Sequence, residues 1–143
     1  MDRIKVILPD HFPFSCTIPL RISDINYGGH LGNDSVLSIV HEARVQFLRS
    51  LGYTEMDIEG AAVTMTNAAI EYIAEGLYGD TMKVEVGVAA GDDAICDFVY
   101  RLTSLTSGKL VARVRTGIVF LNRETKKIIR VPTKFRERLS AHL

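Results

Sequence analysis

The sequence predicts an α+β domain in which one long amphipathic helix packs against a run of antiparallel strands. Three observations predict it. A single long stretch, Asn33 to Leu51, repeats its apolar residues at helical spacing: Val36, Val40, Ala43 and Phe47, widened by Leu37, Leu48 and Leu51. The second half of the chain instead alternates with a period of two. Short turns join those alternating segments, and 143 residues suit one domain without a linker or repeat.

The elements follow in order. Phe14 to Ile22 places apolar side chains at every even position, and Pro19, which cannot donate to a ladder, assigns that strand to an edge or a bulge. Gly32-Asn33-Asp34-Ser35 offers N-cap side chains to the helix, and Gly52 is placed for a left-handed C-terminal turn. Ala61 to Glu75 reads as a strand. Met82 to Val88 alternates as far as the turn cluster Gly91-Asp92-Asp93, Ala94 to Leu102 as far as Thr106-Ser107-Gly108-Lys109, and Leu110 to Phe120 as far as Asn122-Arg123-Glu124. A short strand at Ile128–Val131 precedes a C-terminal helix opened by Pro132-Thr133. Arg101, Arg113 and Arg115 share the odd-numbered face of the sheet with Asp97, Val99 and Val111, so that face is mixed.

Composition excludes several classes of function. With 17 basic and 17 acidic residues the formal net charge is zero, which leaves no global attraction to nucleic acid or to anionic lipid. No apolar run approaches the roughly 20 residues of a membrane span and no secretory leader is recognisable, so a cytoplasmic location and no membrane partner are expected. Cys16 and Cys96 read as buried free thiols. His11, His41 and His142 lack acidic or thiol partners at metal-ligand spacing, so no metal is expected. Lys126, Lys127 and Arg130 read as a solvated hairpin turn rather than a phosphate site. There is no nucleophile elbow, Walker loop or dinucleotide fingerprint.

The informative stretch is Arg21-Ile22-Ser23-Asp24-Ile25-Asn26-Tyr27-Gly28-Gly29-His30-Leu31-Gly32-Asn33, followed by Glu42-Ala43-Arg44 in the helix. It resembles the opening signature of the 4-hydroxybenzoyl-CoA thioesterase group of hotdog enzymes, an Asp-x-Asp-x-x-Gly-His turn before a long central helix that carries Glu-Ala-Arg. The resemblance implies a hotdog fold, a long central helix wrapped by a five- to six-stranded antiparallel sheet. It implies hydrolysis of an acyl thioester of coenzyme A or of acyl carrier protein, with no cofactor beyond the coenzyme A moiety of the substrate. It also implies a homodimer or homotetramer, with subunits joined edge to edge and active sites at their interface.

One position departs from the pattern: Asn26 stands where the group carries its catalytic aspartate, and an amide cannot act as a base. Asp24, which matches the first aspartate, becomes the leading acidic candidate, ahead of Glu42 about two turns into the helix. Asn26 remains a hydrogen-bonding group for water or thioester, and His30 an acid–base group. Gly29, Gly32 and Asn33 are the substrate-binding candidates, because glycine admits close approach and helix N-terminal amides can polarise a carbonyl. The missing aspartate keeps open a non-catalytic hotdog protein that binds an acyl group or its carrier. A dehydratase or hydratase is disfavoured, since His41 and Glu42 are adjacent rather than on one helix face.

Overall fold

The computed structural model describes residues 2–89 and 93–141. It contains β1 (Phe14–Pro19), a 3₁₀ turn (Ile22–Asp24), α1 (Ser35–Ser50), β2 (Ala61–Tyr72), β3 (Thr81–Ala89), β4 (Ile95–Ser104), β5 (Leu110–Asn122), β6 (Ile128–Ile129) and α2 (Thr133–Ala141). The strands form one antiparallel sheet in the order β1-β3-β4-β5-β2, with β6 added to β5. This is the α+β arrangement read from the sequence. Pro19 ends β1, which is an edge strand. Gly91 and Asp92 of the expected turn cluster, and His142, lie outside the described residues.

The period-two pattern decides which face is buried. Met82, Val84 and Val86 of β3, Phe98, Tyr100 and Leu102 of β4, and Ala112, Val114, Ile118 and Phe120 of β5 form one core with Val36, Ile39, Val40, Ala43, Phe47 and Leu48 of α1. Phe47 is the central contact, its ring 5.4 Å from that of Phe14 and 6.1 Å from that of Phe98. Burying each such side chain contributes about 1.5–3 kcal/mol, which the bare propensity of an isolated helix cannot supply. α1 stops where expected: Gly52 has φ 87°, and the N–H groups of Gly52 and Tyr53 bond the carbonyls of Arg49 and Leu48.

Several boundaries differ from the sequence reading. α1 begins at Ser35, with Asp34 at its N-cap already in helical backbone geometry (φ −70°, ψ −34°) and making no side-chain cap bond, while Asn33 Oδ1 accepts the Asp34 N–H at 3.1 Å. Ile22 is exposed in the 3₁₀ turn rather than continuing the buried face of β1. β2 ends at Tyr72, and β6 is only Ile128–Ile129. Thr66 forms a bulge opposite Gly117, so the inward positions of β2 change from odd (Val63) to even (Ile70). An added Cβ at Gly117 would lie 2.1 Å from Asn67 Oδ1, so a larger residue there would displace the Asn67 side chain.

The opposite face carries paired charges. Glu85, Arg101, Arg113 and Glu71 are neighbours across β3, β4, β5 and β2. The two adjacent arginines each turn to a flanking carboxylate, Arg101 to Glu85 at 2.8 Å and Arg113 to Glu71 at 3.8 Å. The N-terminal segment crosses this face, with Val6 buried, its N–H on Glu71, and the Phe12 ring beneath Arg101.

Asp80, buried just before β3, ties the start of the motif segment to the sheet. Its backbone carbonyl accepts the Leu20 N–H, and its carboxylate accepts Ser104 Oγ–H at 2.6 Å and the Thr81 N–H at 2.7 Å. Burial alone would raise its pKa, but the bonds from Ser104, Thr106 and Thr81 outweigh it and hold the carboxyl below its ordinary value. A depressed folded-state pKa contributes stability that is present above the unfolded value, about 4, and is lost as pH falls through the folded value. Asp80→Ala is therefore expected to lose about 1–3 kcal/mol in urea denaturation at pH 7. Its deficit against the parent should shrink progressively below about pH 4.

Candidate active site

The Asp24-to-Asn33 segment folds as a clasped turn, and its polar side chains do different jobs. Asp24 is 4% exposed. Its Oδ2 accepts the Arg21 N–H at 2.8 Å, and its Oδ1 lies 3.4 Å from Arg21 Nη2, so both oxygens close the 3₁₀ turn. Asn26 Oδ1 accepts the N–H groups of Gly28 at 3.0 Å and His30 at 3.2 Å, while the Asn26 N–H bonds the His30 carbonyl. Gly29 sits in the left-handed region at φ 84°, with its N–H on the Asn26 carbonyl. The loop between β2 and β3 holds the turn from outside through Leu31 N–H to Gly76 O and an ion pair of His30 Nε2 with Glu75 Oε2 at 3.1 Å. Gly76 permits that approach, because a Cβ would press on Leu20 and Leu31 at 3.2 Å.

The candidates therefore separate into two places. Asp24 and Glu42 share a cleft of about 550 Å³ between β1 and α1, walled by Thr17, Ile18 and Pro19 on one side and by Ser38, Ile39, His41, Val45 and Gln46 on the other. Asn26, Gly29 and His30 lie away from it, on the turn that faces the 74–77 segment. The amide of Gly32 is not free to polarise a carbonyl, because it bonds Asp24 O at 2.8 Å. Asn33 Oδ1 accepts the Asp34 N–H and the Asn33 carbonyl accepts Tyr72 Oη–H at 2.9 Å, bonds that tie the start of α1 to β2 and do not engage the Asn33 N–H.

Glu42 is exposed in the cleft, and its Oε2 accepts Gln46 Nε2–H at 2.9 Å, one helical turn on. Burial first, and the Glu42 charge second, push the Cys16 thiol up, which disfavours its thiolate. Of the two clefts beside α1, the larger lies against β1, and one of about 320 Å³ reaches the 61–72 strand through Met65.

Behind the cleft stands a network that local sequence pattern does not reveal. Arg44, a charged residue on a helix, is only 6% exposed. Its Nε donates to Glu55 Oε2 at 2.9 Å and its Nη1 to Tyr100 Oη at 3.2 Å, and Tyr100 Oη also meets Thr116 Oγ1 at 2.9 Å. Burial pushes the Tyr100 phenol up, which keeps it a neutral partner. The second oxygen of Glu55 lies 2.5 Å from His41 Nε2. Glu55 sits 11 and 14 residues beyond its partners, in the loop after α1, where no spacing rule points to it. Among the described residues no three His, Cys, Asp or Glu side chains converge as metal ligands, and no helix is long and apolar enough to cross a membrane.

Known structures share this architecture. A 1,4-dihydroxy-2-naphthoyl-CoA thioesterase from Synechocystis superposes with a TM-score of 0.80 at 20% identity, covering 89% of this chain and 95% of that one. A DHNA-CoA thioesterase from Staphylococcus aureus gives 0.79 at 20% identity over 89% of this chain and 88% of that one. The protein SAV2348 from Staphylococcus aureus, solved in complex with CoA, gives 0.81 at 16% identity over 96% and 87%. Such identities establish the common hotdog fold. Among curated proteins none matches the sequence. The family model of the thioesterase-like superfamily matches residues 20–139, from the strand end before the motif turn to the last helix, and the chain belongs to that superfamily.

Proposed function

We propose that the chain hydrolyses an acyl thioester of coenzyme A or of acyl carrier protein, with the acyl group in the β1–α1 cleft and Glu42 activating the water. The observation that carries this reading is the Glu42 carboxylate, exposed in a cleft whose other walls include Ile18, Pro19, Ile39 and Val45. A thioester carbonyl is attacked by water once a base removes its proton, and an apolar wall both seats an acyl chain and limits competing solvent. Asp24 has the supporting role, since its oxygens are committed to Arg21 and brace the end of the cleft. Superfamily membership and a fold-mate solved with CoA support a coenzyme A thioester as substrate. The proposed reaction needs no cofactor beyond the coenzyme A moiety of that substrate, and a coenzyme A thioester as substrate is consistent with the cytoplasmic location expected from the sequence. Thiol release from a panel of acetyl-, octanoyl- and benzoyl-CoA tests the activity. Glu42→Gln is expected to lower kcat about 100-fold or more with unchanged circular dichroism, and full activity in that variant removes Glu42 from the mechanism.

One observation favours a non-catalytic acyl binder: Asn26 uses its oxygen to brace the turn, as an aspartate there would also do. Asn26→Asp should therefore keep thermal stability within about 0.5 kcal/mol, whereas Asn26→Ala should lose about 1 kcal/mol. Calorimetric binding of acyl-CoA without thiol release from any panel member would establish the binder.

The subunits are proposed to pair along β2, forming a homodimer or, by further packing, a homotetramer. β2 is an edge strand with residues 64–68 exposed, a template that pairs readily with a second copy. Analytical ultracentrifugation should give at least twice the chain mass, and Ala68→Glu, which brings like charges to that seam, should shift the protein towards monomer. A monomeric parent overturns the assembly.

A further inference from the structure

Two clefts run along opposite sides of the exposed ridge of α1. The larger lies against β1, the smaller against Met65 of β2, and the side chains that line both are Ser38 and His41. A thioester laid across this ridge would place its acyl group in one cleft, its thiol arm in the other, and its scissile C–S bond over His41. We propose that His41 is a catalytic residue, the general acid that protonates the departing sulfur, with Glu55 and Arg44 as its positioning residues. The proposal rests on the thioesterase reading above and adds a group that the motif does not contain.

The geometry supports the assignment. Glu55 holds His41 Nε2 at 2.5 Å, which fixes the ring and leaves Nδ1 without a protein partner among the described residues. Glu55 is itself fixed by buried Arg44, and Arg44 by Tyr100, so the carboxylate is aimed by the core rather than by the loop. The arrangement repeats the orienting role that a buried carboxylate plays towards an imidazole in hydrolytic triads. The charged groups around His41 are Glu55 from the 53–60 loop and Glu42 and Arg44 on α1 itself.

In the step, Glu42 takes a proton from water as the water oxygen bonds the carbonyl carbon. The C–S bond then breaks, its electron pair goes to sulfur, and the Nδ1 proton of the doubly protonated ring joins it. Glu42 returns its proton to the ring through solvent, and the products are a carboxylic acid and a thiol.

Leaving-group dependence tests this role, because an aryl thiolate departs without protonation whereas the alkyl thiolate of coenzyme A gains from it. The panel acyl group that turns over fastest is presented as its CoA thioester and as its thiophenyl ester. His41→Gln, a change at an exposed site, is expected to lower kcat about 100-fold on the CoA thioester and less than about 3-fold on the thiophenyl ester. Glu55→Gln should show the same asymmetry at about 10-fold, read as the ratio of the two substrates because it also unpairs Arg44. Equal losses on the two esters, or none, overturn the role of His41 while leaving the hydrolase reading intact. A parent protein that releases thiol from neither ester overturns the hydrolase reading and this role with it.

Discussion

The structure depends on the seating of α1 against the even-numbered face of the sheet. Phe47, Ala43 and Ile39 form one stripe of the helix, and Phe14, Phe98, Val84 and Leu102 receive it from the strands. Close packing leaves the helix little rotational freedom, because a turn about its axis would expose apolar surface and open voids in the core. The orientation of every remaining helix residue is thereby decided. Ser38, His41 and Glu42 face outward because their neighbours in the stripe face inward.

Arg44 is the one charged side chain of α1 that this seating buries, and its position is tolerable only because partners meet it there. A buried guanidinium without a counter-charge would cost several kcal/mol, and Glu55 and Tyr100 together remove that penalty. The consequence reaches past stability. Satisfying Arg44 holds the loop after α1 in place, since Glu55 must stay within 2.9 Å of it, and the same carboxylate then reaches His41 on the outer side. An element of core satisfaction and an element of surface chemistry are the two oxygens of one residue.

Local pattern carried most of the fold. The strand periodicity, Pro19 at an edge and Gly52 after the helix each report a constraint that acts within a few residues, and each was visible for that reason. The bulge at Thr66 was not, because it arises from pairing with Gly117, 51 residues away. The site divided along the same line. The motif located Asp24 and Glu42, which share the larger cleft, but spacing could not reveal that Asp24 spends its oxygens on Arg21 or that Asn26 and His30 face elsewhere. Nor could it reveal Glu55, which joins His41 and Arg44 only in three dimensions.

The adjacency of His41 and Glu42 illustrates why a helix can serve a two-sided reaction. Consecutive residues on an α-helix diverge by about 100°, so neither can stand directly above the other, and a pair needed on one face would sit three or four positions apart. For chemistry that takes a proton from water on one side of a bond and delivers one to a leaving group on the other, divergence is the useful geometry. Glu42 enters the cleft beside β1, and His41 reaches across to Glu55 in the loop that precedes β2. The spacing that argues against two groups acting on one atom is the spacing that lets two groups act on opposite ends of a single bond.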